Sequence, residues 1–421
     1  MKRFLTISSF AALVAACGAR TDLEPIRDIE GGGGAALTTV ASTSVASSTS
    51  TEATTSASSS SAGGGPVCTT LGPPLDAPIA LTDPSGDAML TSLLSEGDRA
   101  FAASANNNDP SPDPSWRVRE VAADLETLGP SQIVAKHPQG VSFSGMSLAS
   151  QGNHRGALFW DESHGCRFVP ILEDGAGGTA AEVDPTAFCY GLSATESGFY
   201  AFKSPTFGFM PLTLLSLDAS GKVSSEVAVL PPSLVLTFPR GHARLDDGTL
   251  LLAHSESSGA YFGTRISLAG EVISKPHPIV TLGEHPEFAI TSAGDHALAV
   301  WSSDHAPGDV LVANLDPDGT PNKVTFVGHA KPPTADVAIL RYGDGALVAW
   351  SDASSDSIYV VRVSATGDLL TSAIEIAAPG LAHDLRLVPT TYGAMVGFAA
   401  LAPGGLTQVW VSALPCSVAE R

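Results

Sequence analysis

A short apolar run, a polar loop and a second apolar run recur along most of this chain. The clearest copy is residues 343–367, where an apolar run ends at Trp350 and a β-rich run covers 358–363 after the loop. Copies of the first run lie at 97–104, 155–162, 197–204, 247–256, 294–303, 344–352 and 392–400. Further runs of strand-forming residues flank most copies, so the pattern predicts about four strands per repeat.

The spacing of the repeats predicts the fold. The last four anchor residues, His254, Trp301, Trp350 and Phe398, are 47, 49 and 48 residues apart. A period of this length with four short strands is typical of a β-propeller, in which packed blades cover each other's faces. We therefore expect an all-β propeller at 67–421, with seven blades of four antiparallel strands. The first copy is the weakest, so six or eight blades are the alternatives. Serial β-sandwich domains would need repeats of about 100 residues, and a β-helix would show a shorter period.

The N-terminal segment predicts export. Lys2 and Arg3 precede a short apolar run (4–14), as in a signal peptide, and the run is too brief for a transmembrane span. Residues 14–17 (VAAC) resemble the lipobox of bacterial lipoproteins, which implies cleavage before Cys17 and acylation of that residue by fatty acids such as palmitate. The alternative is an ordinary secretory peptide. We expect the signal peptide and lipobox at 1–17 and a disordered Ser/Thr/Gly-rich tether at 18–66.

Four cysteines remain when Cys17 is assigned to the signal. In an exported protein, four cysteines predict two disulfides. We favour Cys166–Cys189, which are near in sequence, and Cys68–Cys416, which bracket the repeats and would form a clasp where the first and last blades meet. A zinc site is the alternative, but the cysteines lack CxxC spacing.

The charge excludes one class of partner and disfavours another. The chain has 22 basic and 43 acidic residues and a net charge of −21. A nucleic-acid interface needs clustered Lys and Arg, which the sequence does not contain. Attraction to anionic lipid is equally disfavoured. No cofactor, metal site or catalytic residue is predicted, because none of the familiar catalytic or nucleotide-binding motifs occurs.

One set of polar residues recurs at or near the loop that follows the anchor strand. If the repeats form a ring, these loops share one rim and become a polar or cation-assisted binding face. The candidate residues are Asp161, Glu162, His164, His254, Glu256, Asp304, His305 and Asp352. The alternative is that they only close hairpins. Trp160, Trp301 and Trp350 could stack on sugars, but their apolar surroundings favour packing between blades.

Taken together, the chain resembles bacterial lipoproteins that carry a Ser/Thr-rich tether and a β-propeller. The lipobox (14–17), the tether and the strands ALVAWSD (346–352) and IYVVRVSATG (358–367) carry this resemblance. It implies a non-enzymatic binding or scaffold protein, anchored in the outer membrane by lipid on its periplasmic or surface side, with an envelope protein or glycan as partner. The alternative is a propeller-fold hydrolase or lyase that acts on extracellular glycans.

Overall fold

The computed structural model describes residues 68, 70–82, 87–106, 115–136, 146–161, 165–205, 211–231, 237–256, 260–280, 287–303, 308–330, 336–402 and 405–417. The predicted signal peptide, lipobox and tether (1–66) lie outside these residues. Within the described ranges, no helix is long and apolar enough to cross a membrane.

The described strands form seven four-stranded antiparallel sheets, which confirms the seven-bladed propeller. Blade 1 consists of β2 (Ala88–Glu96), β3 (Arg99–Asn106), β4 (Ser115–Ala122) and β5 (Leu128–Lys136). Blade 2 consists of β6 (Ser147–Gln151), β7 (His154–Asp161), β8 (Gly165–Ile171) and β9 (Ala181–Asp184). Blade 3 consists of β10 (Ala187–Ala194), β11 (Gly198–Pro205), β12 (Leu212–Asp218) and β13 (Val223–Leu230). Blade 4 consists of β14 (Thr237–Arg244), β15 (Leu250–Glu256), β16 (Tyr261–Ile266) and β17 (His277–Val280). Blade 5 consists of β18 (Phe288–Ser292), β19 (Ala297–Ser302), β20 (Asp309–Leu315) and β21 (Pro321–His329). Blade 6 consists of β22 (Val337–Tyr342), β23 (Gly345–Asp352), β24 (Ser357–Val363) and β25 (Ile374–Ala377). Blade 7 consists of β26 (Ala382–Thr390), β27 (Gly393–Leu401), β28 (Thr407–Pro415) and β1 (Ile79–Ala80).

The recurrent apolar run of the sequence is the second strand of each blade. In β23, for example, Leu347 and Ala349 pack toward blade 7, whereas Ala346, Val348 and Trp350 pack toward blade 5. Successive side chains of a strand point to opposite faces of the sheet. Both faces are covered by neighbouring blades, so the strand is a continuous apolar run rather than an alternating one.

Seven clusters of buried apolar residues hold the ring together, and each lies between two consecutive blades. One cluster joins blade 7 to blade 1 through Met395, Val409 and Leu90. The ring is therefore closed by the same kind of contact that joins its other blades. Trp160, Trp301 and Trp350 are buried in the structure, as expected for packing between blades.

The N-terminal segment completes blade 7, an arrangement that the repeat analysis did not anticipate. Ile79 and Ala80 pair with Val411 and Trp410 of β28. Further along, Gly72 N–H donates to the Pro415 carbonyl at 2.7 Å. The first strand in the sequence is thus the outermost strand of the last blade, and the ends of the domain meet there.

Both predicted disulfides are confirmed. Cys166 and Cys189 join β8 of blade 2 to β10 of blade 3, with their Cα atoms 5.6 Å apart. Cys68 and Cys416 join the N-terminal segment to the residue after β28, with their Cα atoms 5.4 Å apart. The predicted clasp therefore ties the two ends within blade 7 rather than the first blade to the last.

Candidate functional site

Three of the four described rim candidates lie at one end of the ring. Asp161, Glu256 and Asp352 are the last residues of β7, β15 and β23. Glu162, His164, Asp304 and His305 lie outside the described residues. The Asp352 carboxylate accepts hydrogen bonds from the Ser354 N–H at 2.9 Å and the Ser354 hydroxyl at 2.8 Å. Asp352 thus closes its hairpin, as the alternative interpretation expected.

His254 lies within β15 rather than in the loop after it, and its side chain is buried. Its Nε2 is 3.0 Å from the hydroxyl oxygen of Thr264 on the neighbouring strand. Burial lowers the pKa of His254 to about 4, because the charged imidazolium would lose its hydration. The structure therefore assigns His254 to the interior of blade 4, since the polar side chain stands in a strand that is covered on both faces.

The innermost strands of the seven blades surround a central channel, and four of them are irregular. In β2, β10, β14 and β26 the pairing with the second strand is interrupted by an extra residue. The pairing of β6, β18 and β22 is regular. A β-bulge of this kind redirects a side chain, and bulges are common beside binding sites. The extra residues occur around Thr91, Gly191, Arg240 and Asp384.

The bulge in β26 is held by a carboxylate from the neighbouring blade. Asp384 has a φ of 54°, a left-handed conformation that costs about 1 kcal/mol for most residues and less for Asp. The next N–H, that of Leu385, donates to Oδ2 of Asp336 at 2.7 Å, and Oδ1 of Asp336 accepts from the Val337 N–H at 2.9 Å. Asp336 therefore stabilises the backbone at the point where β26 leaves the regular ladder.

A cavity of about 260 Å³ lies among the four bulges. The cavity lies on the side of the ring where the innermost strands begin. The first residues of these strands pair with the last residues of the second strands. The cavity consequently opens on the same side of the ring as the predicted rim loops. Its walls are formed by Thr91, Met146, Ser147, Cys189, Tyr190, Gly191, Phe202, Pro239, Arg240, Gly241, His242 and Arg386.

Two arginines in this cavity lack ion-pair partners among the described residues. Arg386 donates from Nε to the Thr91 carbonyl at 3.2 Å and from Nη1 to the Leu385 carbonyl at 2.7 Å. Arg240 donates from Nε to the Ser255 hydroxyl at 2.9 Å. Several other described arginines do pair with carboxylates, namely Arg99, Arg155, Arg265, Arg341 and Arg362. The two cavity arginines are thus held by neutral acceptors and retain N–H donors for an anion.

Neighbouring groups shape the charge of the cavity. Burial raises the pKa of Tyr190 to about 12, so its hydroxyl stays protonated and can donate a hydrogen bond. Burial and the nearby Asp336 carboxylate both raise the pKa of Glu287, while Arg240 and Arg386 oppose the shift. Burial also raises the pKa of Asp336, against the opposing charge of Arg386. Glu287 and Asp336 thus place carboxyl groups close enough to the two arginines for their charges to influence each other.

His242 forms the boundary of the cavity toward the interior of the channel. Its Nε2 is 2.8 Å from the Ser193 hydroxyl, and its ring lies beside Tyr200 and Phe202. Burial lowers the pKa of His242 to about 4. The imidazole is therefore neutral at physiological pH, and the charge of the cavity comes from the two arginines and the surrounding carboxyl groups.

These cavity residues were not predicted from the sequence. One signal for them was Arg386, which interrupts the apolar pattern of residues 385–388. A second signal was available in 239–242 (PRGH), where charged and turn-forming residues occur inside a strand. Both interruptions lie at or beside bulges, whereas Arg341 interrupts the apolar run of β22 without a bulge.

The comparisons with known proteins support the fold alone. No protein-family model matches the chain, and no curated protein matches it in sequence. Among solved structures, the chain is similar to hydrazine synthase from Kuenenia stuttgartiensis, with a TM-score of 0.53 and 12% identity over 78% of this chain and 96% of that one. It is also similar to the WD40 domain of Toxoplasma gondii coronin, with a TM-score of 0.51 and 9% identity over 82% and 89% of the two chains. A Dyadobacter fermentans protein of unknown function gives a TM-score of 0.48 and 14% identity over 82% and 99%. Proteins this distant share an architecture and need not share an activity.

Proposed function

We propose that this protein is a binding propeller whose site is the cavity at the mouth of the central channel, and that it takes a ligand bearing an anionic group. One observation carries the proposal: Arg240 and Arg386 line one cavity, and neither forms an ion pair within the described part of the chain. A guanidinium group can bind a carboxylate or phosphate through two parallel hydrogen bonds. The Tyr190 hydroxyl supplies a further donor.

A thermal-shift experiment on the full-length protein tests this proposal. Acetate, citrate and inorganic phosphate are compared with chloride at constant ionic strength. A ligand that binds only the folded protein raises Tm by mass action. We expect at least one of the three anions to raise Tm, and Arg240→Gln or Arg386→Gln to abolish the rise.

The matched control is Arg341→Gln. Arg341 pairs with Asp246 and is not part of the cavity wall, so this variant should keep the full anion response. If none of the three anions raises Tm, or if Arg240→Gln responds like the unchanged protein, the channel mouth is not an anion site.

The location that we propose for this protein rests on the sequence of its N-terminal segment. The proposal includes a lipid anchor at Cys17 in the outer membrane and a tether (18–66), with a protein or glycan of the envelope as the source of the anionic group. Replacing Cys17 by Ser should release the protein into the soluble fraction, whereas Cys68→Ser should leave it in the membrane. Retention of the Cys17→Ser protein in washed membranes would exclude the anchor.

The alternative function, a hydrolase or lyase acting on glycans, has one observation in its favour. Glycosidases use two carboxyl groups, one of which has a raised pKa and acts as the acid. Glu287 has a raised pKa near the cavity. The neighbouring carboxyl group, Asp336, accepts two backbone N–H bonds and so has a structural role. Binding is therefore the better supported function. Turnover of an acidic polysaccharide that disappears in Glu287→Gln would reverse this preference.

A further inference from the structure

We propose that the ligand of the channel mouth is an amphiphilic anion, with a carboxylate or phosphate head group at Arg240 and Arg386 and an unbranched aliphatic chain in the channel beneath. This inference rests on the proposed function, because the head group uses the same two arginines. The inference adds a second binding region in the channel, and it specifies that the part of the ligand in this region is aliphatic.

The second region is an apolar chamber of about 180 Å³, deeper in the channel. Six leucines from five blades are among its thirteen described lining residues, which include three serines and no charged residue. Five of the leucines are 6–9% exposed. These five are Leu94, Leu148, Leu192, Leu340 and Leu387, and the sixth is Leu93.

The chamber and the polar cavity follow one another along the channel. The same innermost strands line both, with Arg386 at the cavity and Leu387 at the chamber, and Gly191 at the cavity and Leu192 at the chamber. Ser193 of the chamber wall is hydrogen-bonded to His242 of the cavity wall. The two spaces are therefore adjacent, and the Ser193–His242 contact lies between them.

The polarity of the two spaces favours an amphiphile over a wholly polar ligand. A charged group in the chamber would lose its hydration without gaining a charged partner, because the only polar side chains of the described wall are those of Ser95, Ser150 and Ser193. An aliphatic chain there gains from burial, while its head group meets the arginines. The two volumes together fall in the lower part of the range of small-molecule sites, roughly 300–1,000 Å³. This size fits a short chain and a compact head group.

A chain-length series measured by calorimetry on the full-length protein tests the inference. The probes are acetate, butyrate, hexanoate and octanoate, followed by inorganic phosphate, butyl phosphate and octyl phosphate, all below their micellar concentrations. Burial of one methylene corresponds to an affinity gain of about fourfold. We expect a gain of this size per methylene until the chamber is full. Octanol, which lacks the charge, should bind at least tenfold more weakly than octanoate.

A blocking variant provides the matched comparison. Ser150 lines the chamber and is only partly buried, so Ser150→Phe should fill the space without removing a core side chain. It should keep the response to acetate or phosphate and lose the dependence on chain length. The series on the unchanged protein decides the question even if this variant fails to fold.

Each outcome separates the two proposals. If anions bind at the arginines but affinity does not change with chain length, the amphiphile inference is wrong and the anion site stands. If no anion binds at any chain length, both are wrong. If octanol binds as tightly as octanoate, the chamber binds apolar molecules independently of the arginines, and the inference is again wrong. A preference for the carboxylate or the phosphate series identifies the head group.

Discussion

The disulfide between Cys68 and Cys416 should contribute more to stability than the one between Cys166 and Cys189. The two bonds have sequence separations of 348 and 23 residues. In the chain-entropy model, the loops that they close correspond to about 6 and about 3.5 kcal/mol of stabilisation, because a longer loop restricts the unfolded chain more. We therefore expect the double variant Cys68→Ala/Cys416→Ala to lose about 2 kcal/mol more than Cys166→Ala/Cys189→Ala.

The comparison is well matched, because all four cysteines are buried and each double variant removes two sulfur atoms. The assay is urea unfolding without reductant, with non-reducing mass spectrometry to show that the other bond is intact. An equal or larger loss in the Cys166→Ala/Cys189→Ala protein would refute the reasoning. Packing between blades 2 and 3, rather than closure of the ring, would then determine the stabilisation.

Three further outcomes are expected. Because burial lowers the folded-state pKa of His254 from 6.5 to about 4, the unfolded chain binds more protons between these values. The resulting contribution of His254 to the free energy of unfolding, about 3 kcal/mol, is complete above pH 6.5 and is lost toward pH 4. Stability measured by urea unfolding should therefore vary less with pH in His254→Gln than in the unchanged protein. Gly165→Ala should lower the free energy of unfolding by more than about 3 kcal/mol, because the new Cβ would lie 2.3 Å from a backbone carbon. Gly152 also has a positive φ but faces open space, so Gly152→Ala should cost only about 1 kcal/mol. Equal losses of stability in thermal unfolding would contradict this. Asp336→Ala should leave the Leu385 N–H without an acceptor and lower the free energy of unfolding by about 2 kcal/mol. Calorimetry should also show weaker anion binding in this variant. An unchanged affinity would show that the bulge does not position the site.

The sequence was sufficient to predict the architecture because the repeat is encoded locally. The anchor strand is buried on both faces in every blade, so its apolar run appears wherever a blade occurs. The run that ends at Trp350 is the plainest example, with alternate residues packed against different neighbours. The Cys68–Cys416 disulfide followed from the same ring, since closure brings the two residues together, whereas Cys166–Cys189 followed from their proximity in sequence.

The N-terminal strand could not be predicted in this way. β1 contains only Ile79 and Ala80, and its partners are residues near the end of the sequence. Its identity as a strand depends on backbone hydrogen bonds to β28, and two residues carry no periodic pattern. Pairing between segments so distant in sequence is a property of the closed ring, and it becomes visible only when the ring has been built.

The candidate site was missed for a related reason. A search for repeats retains what the blades share, whereas the site consists of what they do not share. Regular pairing, as in β6, β18 and β22, would give a channel of nearly uniform cross-section if it were repeated in all seven blades. The extra residues in the other four innermost strands break that uniformity and bring Arg240 and Arg386 into one cavity. In a propeller, the departures from the repeat are therefore the residues that can distinguish one ligand from another, and the chemistry of the channel mouth has to be sought there.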